Sequence, residues 1–148
     1  MKHSSRDIEI ISSMLLYEFL NLSCNKQQLI EYLQRMEVIR REITCPQCHN
    51  VINVTYDSDV NIFQCTNKYY KQIQGRKRVR KTCNFKISIL HGTWFNRGHL
   101  GLVKACRFIA YFLYMRPPRY DFLMQELEIS QHTVVDWTNF CREVNIVD

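Results

Sequence analysis

The order of four cysteines constrains this chain more than any other feature it carries. Cys45-Pro46-Gln47-Cys48 is a C-x2-C pair, a spacing at which a tight knuckle points two thiolates at one cation. Residues 51–56 and 60–65 are β-type runs joined by Asp57-Ser58-Asp59, which predicts a hairpin ending on Cys65. Cys83 follows 18 positions later, beyond a strongly basic segment, and leads into a third β-type run at 85–90 that closes on the His91-Gly92-Thr93 turn. Four thiolates converging on one point make the tetrahedral S4 environment that Zn²⁺ accepts with no open position, so Cys45, Cys48, Cys65 and Cys83 predict one structural zinc ion rather than a catalytic one. The second half lacks the tight C-x2-C spacing, which leaves His49, His91 and Cys24 open as replacements for one thiolate. Residues 45–49 also match the C-x-x-C-H haem-attachment pattern, but that chemistry needs a haem-loading compartment and leaves Cys65 and Cys83 unexplained. Cys106 and Cys141 fall on apolar helix faces and read as core residues.

Charge narrows the partner. The formal net charge is +6, yet Lys68, Lys71, Arg76, Lys77, Arg78, Arg80, Lys81 and Lys86 lie in a stretch with no acid. The remainder is therefore slightly acidic, and a near-neutral body with one concentrated positive segment suits a polyanion such as nucleic acid. An acidic membrane surface is the weaker competitor. Among 148 residues, 46% are apolar, including 8 Phe and 8 Tyr, enough to build a core and to argue against disorder. No secretory signal is visible at the start, and the longest apolar run, 100–115, carries Lys104 and Arg107 and is short for a bilayer span. The expectation is a soluble intracellular protein, and in that setting seven cysteines, an odd count, point to metal ligands and buried thiols rather than disulfides.

Periodicity predicts the helices. Ile8, Ile11, Leu15 and Phe19 recur at helical spacing over 7–20, as do Leu29, Ile30 and Leu33 over 27–36, with Ser23 and Asn25 as caps or turn formers. These two helices read as a packing cap. A long, mostly buried helix at 100–115 is stopped by Pro117-Pro118. Shorter helices at 120–127 and 131–144, joined by Glu128-Ile129-Ser130 with Ser130 as N-cap, have helix-turn-helix lengths. The predicted class is α+β: an N-terminal helical segment (1–42), a four-cysteine zinc ribbon with a β-hairpin and a basic insertion (43–96), and a C-terminal helix-turn-helix bundle (97–148).

On the last helix, Val134, Trp137, Phe140, Cys141 and Val144 gather on one side and are expected inside. The opposite arc carries Gln131, His132, Val135, Thr138, Asn139 and Arg142. Gln and Asn pair bidentately with adenine, Arg with guanine, and a valine methyl meets the thymine methyl, so Gln131, His132, Val135, Asn139 and Arg142 are the candidate base readers. Asp136 and Glu143 at the edge of the arc oppose close approach to phosphates. Residues 68–81 read as an exposed loop in which Lys71, Arg76, Lys77, Arg78, Arg80 and Lys81 are candidate phosphate contacts and Tyr69 and Tyr70 pack on sugar or bases. A solvated loop or a nuclear-import signal is the competing reading of that run.

Taken together, Cys45-Pro46-Gln47-Cys48, Phe63-Gln64-Cys65, Cys83 leading through Ile87-Ser88 to Gly92-Thr93-Trp94-Phe95, Thr133-Val134-Val135-Asp136-Trp137 and Phe140-Cys141-Arg142-Glu143-Val144 resemble the N-terminal part of transposases of the Merlin superfamily and their bacterial insertion-sequence relatives. His49-Asn50 departs from the pattern, where glycine is common. The resemblance implies a zinc-binding and helix-turn-helix region that recognises transposon ends, followed in the family by an RNase H-like domain with an acidic metal-binding triad. No such triad can be placed among the 14 acids, so this chain is expected to lack the catalytic part and not to be an enzyme itself. The expected partner is double-stranded DNA, in the nucleus or in a prokaryotic cell, with no membrane and no small-molecule substrate; a homodimer stays open. The competing functions are a zinc-stapled adaptor that binds an acidic protein and a fragment of an active transposase.

Overall fold

The computed structural model describes residues 14–55, 62–96 and 98–144. It is α+β, as expected, with five α-helices and antiparallel sheets among the described residues. Contacts divide the chain into two units, one made of Ile39–His91 and the other of Met1–Val38 together with Gly92–Asp148.

In the Ile39–His91 unit, strands β1 (Glu42–Thr44), β2 (Val51–Thr55), β3 (Ile62–Gln64) and β6 (Lys86–Ser88) form a four-stranded antiparallel sheet in the order β1-β2-β3-β6. The register pairs Ile43 with Ile52, Val54 with Phe63, and Phe63 with Ile87. Opposed residues point to the same side, so these five apolar side chains share one face and the intervening Asn53, Gln64 and Lys86 take the other. Ile52 and Phe63 are buried on it. β2 and β3 form the hairpin expected between the cysteines; its Asp57-Ser58-Asp59 turn lies outside the described residues.

The basic segment differs from expectation. It is not a loop but a two-stranded ribbon, β4 (Lys68–Gln72) against β5 (Arg78–Thr82), with five register pairs from Lys68↔Thr82 to Gln72↔Arg78. Tyr69, Tyr70 and Val79 favour a pleated strand. Gly75, at φ 80, supplies the left-handed residue of the turn, and the Ile73 N–H closes it on the Lys77 carbonyl.

The other unit is helical: α1 (Leu16–Ser23), α2 (Lys26–Arg35), a 3-10 turn (Trp94–Asn96), α3 (Leu102–Tyr114), α4 (Tyr120–Leu127) and α5 (Gln131–Val144). Among the described residues α1 starts at Leu16, after an extended Leu15 (ψ 143) whose N–H bonds to the Glu18 carboxylate; residues 7–13 of the expected helix lie outside the described residues. The Asn25 side chain caps α2 by accepting the Gln28 N–H at 3.1 Å. α3 is the centre, packing against α1, α4 and α5. It buries Leu102, Ala105, Cys106, Phe108, Ile109, Ala110 and Tyr111. Its polar exceptions are matched: Arg107 Nε donates to the Ser23 hydroxyl at 2.8 Å, and the Tyr111 hydroxyl donates to Glu126 at 3.2 Å. Of the two N-terminal helices, read from the sequence as a packing cap, α1 packs against both α2 and α3.

Between α4 and α5 the chain reverses through Glu128 in the left-handed region (φ 51), and the Ile129 N–H returns to the Met124 carbonyl at 3.3 Å. Ser130 then caps α5, its hydroxyl accepting the Thr133 N–H at 3.2 Å. Trp137 anchors the inner side of α5. Its ring lies edge-on to Trp94 at 5.3 Å and to Phe140 at 5.9 Å, and 6.1 Å from Phe108 on α3, distances at which aromatic pairs add to simple area burial.

Candidate metal centre and charged surfaces

Cys45 and Cys48 are the two ends of a knuckle closed by local hydrogen bonds. The His49 N–H donates to the Cys45 carbonyl at 2.9 Å, and the Cys45 N–H donates to the Asn50 carbonyl at 2.8 Å. His49 stands at φ 60, the left-handed conformation for which glycine is the usual choice and which histidine adopts more readily than most side chains. The departure from glycine therefore leaves the turn geometry intact.

Cys65 and Cys83 are brought together by pairing rather than by spacing. The Cys65 N–H donates to the Phe85 carbonyl at 2.9 Å, and the Cys83 N–H to the Asn67 carbonyl at 2.7 Å. That last bond is one step below the Lys68↔Thr82 pair, so the basic ribbon rises directly from the two cysteines and spans the residues that separate them. The four sulfurs lie within 4.8 Å of one another, with Cys45 to Cys83 at 3.6 Å and Cys48 to Cys65 at 3.4 Å. A zinc tetrathiolate with Zn–S bonds of about 2.3 Å has S–S edges of about 3.8 Å, so the cluster fits one tetrahedral cation. Among the described residues, His49, His91 and Cys24 are not part of this cluster.

The electrostatics also fit a cation. Backbone N–H groups two residues on donate to three of the sulfurs: Asn50 to Cys48, Asn67 to Cys65 and Phe85 to Cys83. The Asn50 N–H, aided by the Asn67 side chain and the neighbouring thiols, outweighs desolvation and lowers the Cys48 thiol to about 6. At Cys65 the Asn67 N–H pulls downward too, but desolvation and the three neighbouring cysteines push the thiol up to about 12. At Cys83 the Phe85 N–H is likewise overcome by desolvation and by Cys45 and Cys48, and the thiol is raised. Four thiolates packed this closely repel one another, and a positive ion among them would offset that repulsion.

The remaining candidates divide by surface. Lys71, Arg76, Lys77, Arg78, Arg80 and Lys81 are all exposed on the ribbon or its turn. Gln131, His132, Val135, Asn139 and Arg142 are all exposed on α5, while Val134, Trp137 and Cys141 are buried and Phe140 and Val144 half-buried. Thr138, expected outward with the polar arc, is instead buried at 4% exposure. Asp136 pairs with His132 across one helical turn at 3.5 Å, so its carboxylate is directed along the helix. Arg119 escaped the sequence reading. It lies over the Phe112 ring at 4.2 Å, donates to the Met115 carbonyl at 2.6 Å, and has its pKa lowered by burial and by the neighbouring Arg142 charge. Cys106 and Cys141 are core residues, as expected. Among the described residues, no helix is long and apolar enough to cross a membrane.

Fold and site thus define an α+β chain with a four-cysteine cluster compatible with one metal ion. No family model matches it, and no curated protein or solved structure provides a match.

Proposed function

We propose that this chain is a zinc-stabilised, sequence-specific double-stranded DNA-binding module and not itself a catalyst. In this reading one Zn²⁺ is held by Cys45, Cys48, Cys65 and Cys83, α4 and α5 act as a helix-turn-helix, and α5 is the recognition helix. The observation that carries it is the split of α5: Gln131, His132, Val135, Asn139 and Arg142 stand exposed together while Val134, Trp137, Thr138 and Cys141 are buried. An exposed arc bearing Gln, Asn and Arg with one apolar methyl pair has the donors, acceptors and contact group that the major-groove edges of bases present. The cationic ribbon supports the same partner, because exposed Lys and Arg side chains in a stretch of sequence with no acid neutralise phosphates and release counterions. The resemblance to Merlin-type transposases makes transposon ends, or sites descended from them, the class of target, and the nucleus of a eukaryotic source the compartment.

Selection of bound sequences from a random duplex pool, followed by titration against the selected and a scrambled duplex across a salt series, tests the reading. Selective, salt-dependent binding is expected. Asn139→Ala or Arg142→Ala should cost about 1–3 kcal/mol on the selected site and much less on scrambled DNA. An unchanged ratio in folded protein removes α5 as the reader, and binding to an acidic protein with no duplex preference transfers the function to an adaptor. Metal analysis should find about one zinc per chain; any of the four cysteines replaced by alanine without loss of metal overturns the ligand assignment.

A further inference from the structure

The register of the β4–β5 ribbon sorts its side chains into two chemically different faces. Opposed residues of an antiparallel pair point to the same side, and successive residues alternate. Lys68, Tyr70 and Gln72 therefore share one face with Thr82, Arg80 and Arg78, while Tyr69 and Lys71 share the other with Lys81 and Val79. In sequence, residues 76–81 read as one cationic run broken only by Val79. In the ribbon, both arginines of β5 and the glutamine of β4 collect on the first face, and the second keeps only lysines as its charges.

That sorting matters because the two faces recognise different things. A lysine is a point charge on a flexible stem, whereas Arg and Gln end in planar groups that pair bidentately, Arg with guanine and Gln with adenine. The Arg-bearing face is also the more open one: Tyr70 at its centre is 67% exposed, whereas Tyr69 on the opposite face is half-buried.

Resting on the duplex-DNA reading above, we infer that the face formed by Gln72, Arg78 and Arg80 reads base edges in the major groove, so the ribbon is a second reading element and not only a phosphate clamp. The major groove, about 12 Å wide, admits a two-stranded β-ribbon. Same-face residues along a strand recur about every 7 Å, close to two base-pair steps of about 3.4 Å. Arg78 and Arg80 are thus spaced for two guanines about two steps apart. Gln72, directly across from Arg78, sits within about 5 Å of it and reaches a neighbouring adenine. Lys71 and Lys81 on the other face, with Arg76 and Lys77 at the turn, are left for phosphates. Reading needs a fixed element, and the ribbon has one: its first pair, Lys68↔Thr82, follows directly on the Cys83 to Asn67 bond at the four-cysteine cluster.

The test uses the full, zinc-loaded chain and sequences selected from a random duplex pool. Arg78→Lys with Arg80→Lys keeps every charge and removes the planar forks; Lys71→Ala with Lys81→Ala removes two charges from the opposite face. All four side chains are exposed, so zinc content and circular dichroism should match the parent. The expected result is that the Arg→Lys pair lowers the ratio of selected-site to scrambled affinity by about 5- to 150-fold for each bidentate base pairing it removes. Its salt slope should stay unchanged, and guanine should vanish from two positions of the reselected motif. The Lys→Ala pair should weaken all duplexes alike and flatten the slope by about 0.9 for each phosphate that is no longer neutralised. If the Arg→Lys protein keeps the parental ratio and motif, the ribbon does not read bases although DNA binding stands. If the parent shows no duplex selectivity, or prefers single strands, the DNA reading itself falls and this inference with it.

Discussion

Cys141, on the inner side of α5, is fully buried, and desolvation pushes its thiol from 9.0 up to about 12, against a smaller opposing pull from the Arg119 charge. Because the folded value is the higher one, the unfolded chain gives up this proton first as pH rises. Its contribution to stability is complete below about pH 9 and declines up to about pH 12, by about 1.4 kcal/mol per pH unit at most. Tyr32 and Tyr111 are raised by burial too and act in the same direction, so the difference between proteins isolates the cysteine. Denaturant titrations at pH 8, 9 and 10 should show a shallower alkaline decline for Cys141→Ala than for the parent; parallel declines would mean that the thiol ionises as freely folded as unfolded. At the same scale, His49 shows how a single position can break a sequence pattern and keep the geometry, since its left-handed φ is what the knuckle demands.

At the scale of elements, α5 is held by one cap and one anchor of very different weight. Removing the Ser130 hydroxyl leaves the Thr133 N–H at 3.2 Å without its acceptor and exposed to water, so Ser130→Ala should cost about 1 kcal/mol. Trp137→Ala empties the space between Trp94, Phe140 and Phe108 and should cost about 3–5 kcal/mol through reduced burial and the cavity left behind. Thermal unfolding of the two variants ranks these effects; equal costs would show that ring packing holds α5 no more strongly than its cap does. The bounds of α4 and α5 were legible in the chain because a helix is specified by neighbours three and four residues apart and by its own caps. Those of the ribbon were not, since the cationic composition of 68–81 masked the β preference of its tyrosines and valine.

At the scale of the molecule, the four-cysteine cluster lies wholly in the Ile39–His91 unit, and the helical unit is assembled from chain on both sides of it. A small sheet with short strands and few fully buried residues would depend on the proposed metal cross-link far more than a helical unit built around α3 does. If the middle unit unfolds, the helical unit carries it as a closed loop, whose entropic cost grows only slowly with length. If the cluster holds zinc as proposed, chelation should therefore abolish amide protection in β2, β3 and β6 while α3 and α5 keep theirs, as followed by hydrogen exchange with peptide resolution. Simultaneous loss of protection in α3 would show that the two units unfold as one.

Residue order alone was enough to specify the α+β class, the knuckle at Cys45 and Cys48, the three C-terminal helices, the Ser130 cap and the inward turn of Trp137. Each of these depends on spacings within a few positions of the chain, where periodicity and capping act directly. Tertiary structure alone decided that the span between Cys65 and Cys83 is a ribbon, that Arg78 and Arg80 share a face with Gln72, that Thr138 turns inward and that α1 packs against α3. The reason is physical: strand register and helix docking are settled by interactions between distant segments, and shifting a strand pairing by one residue sends every side chain to the opposite face.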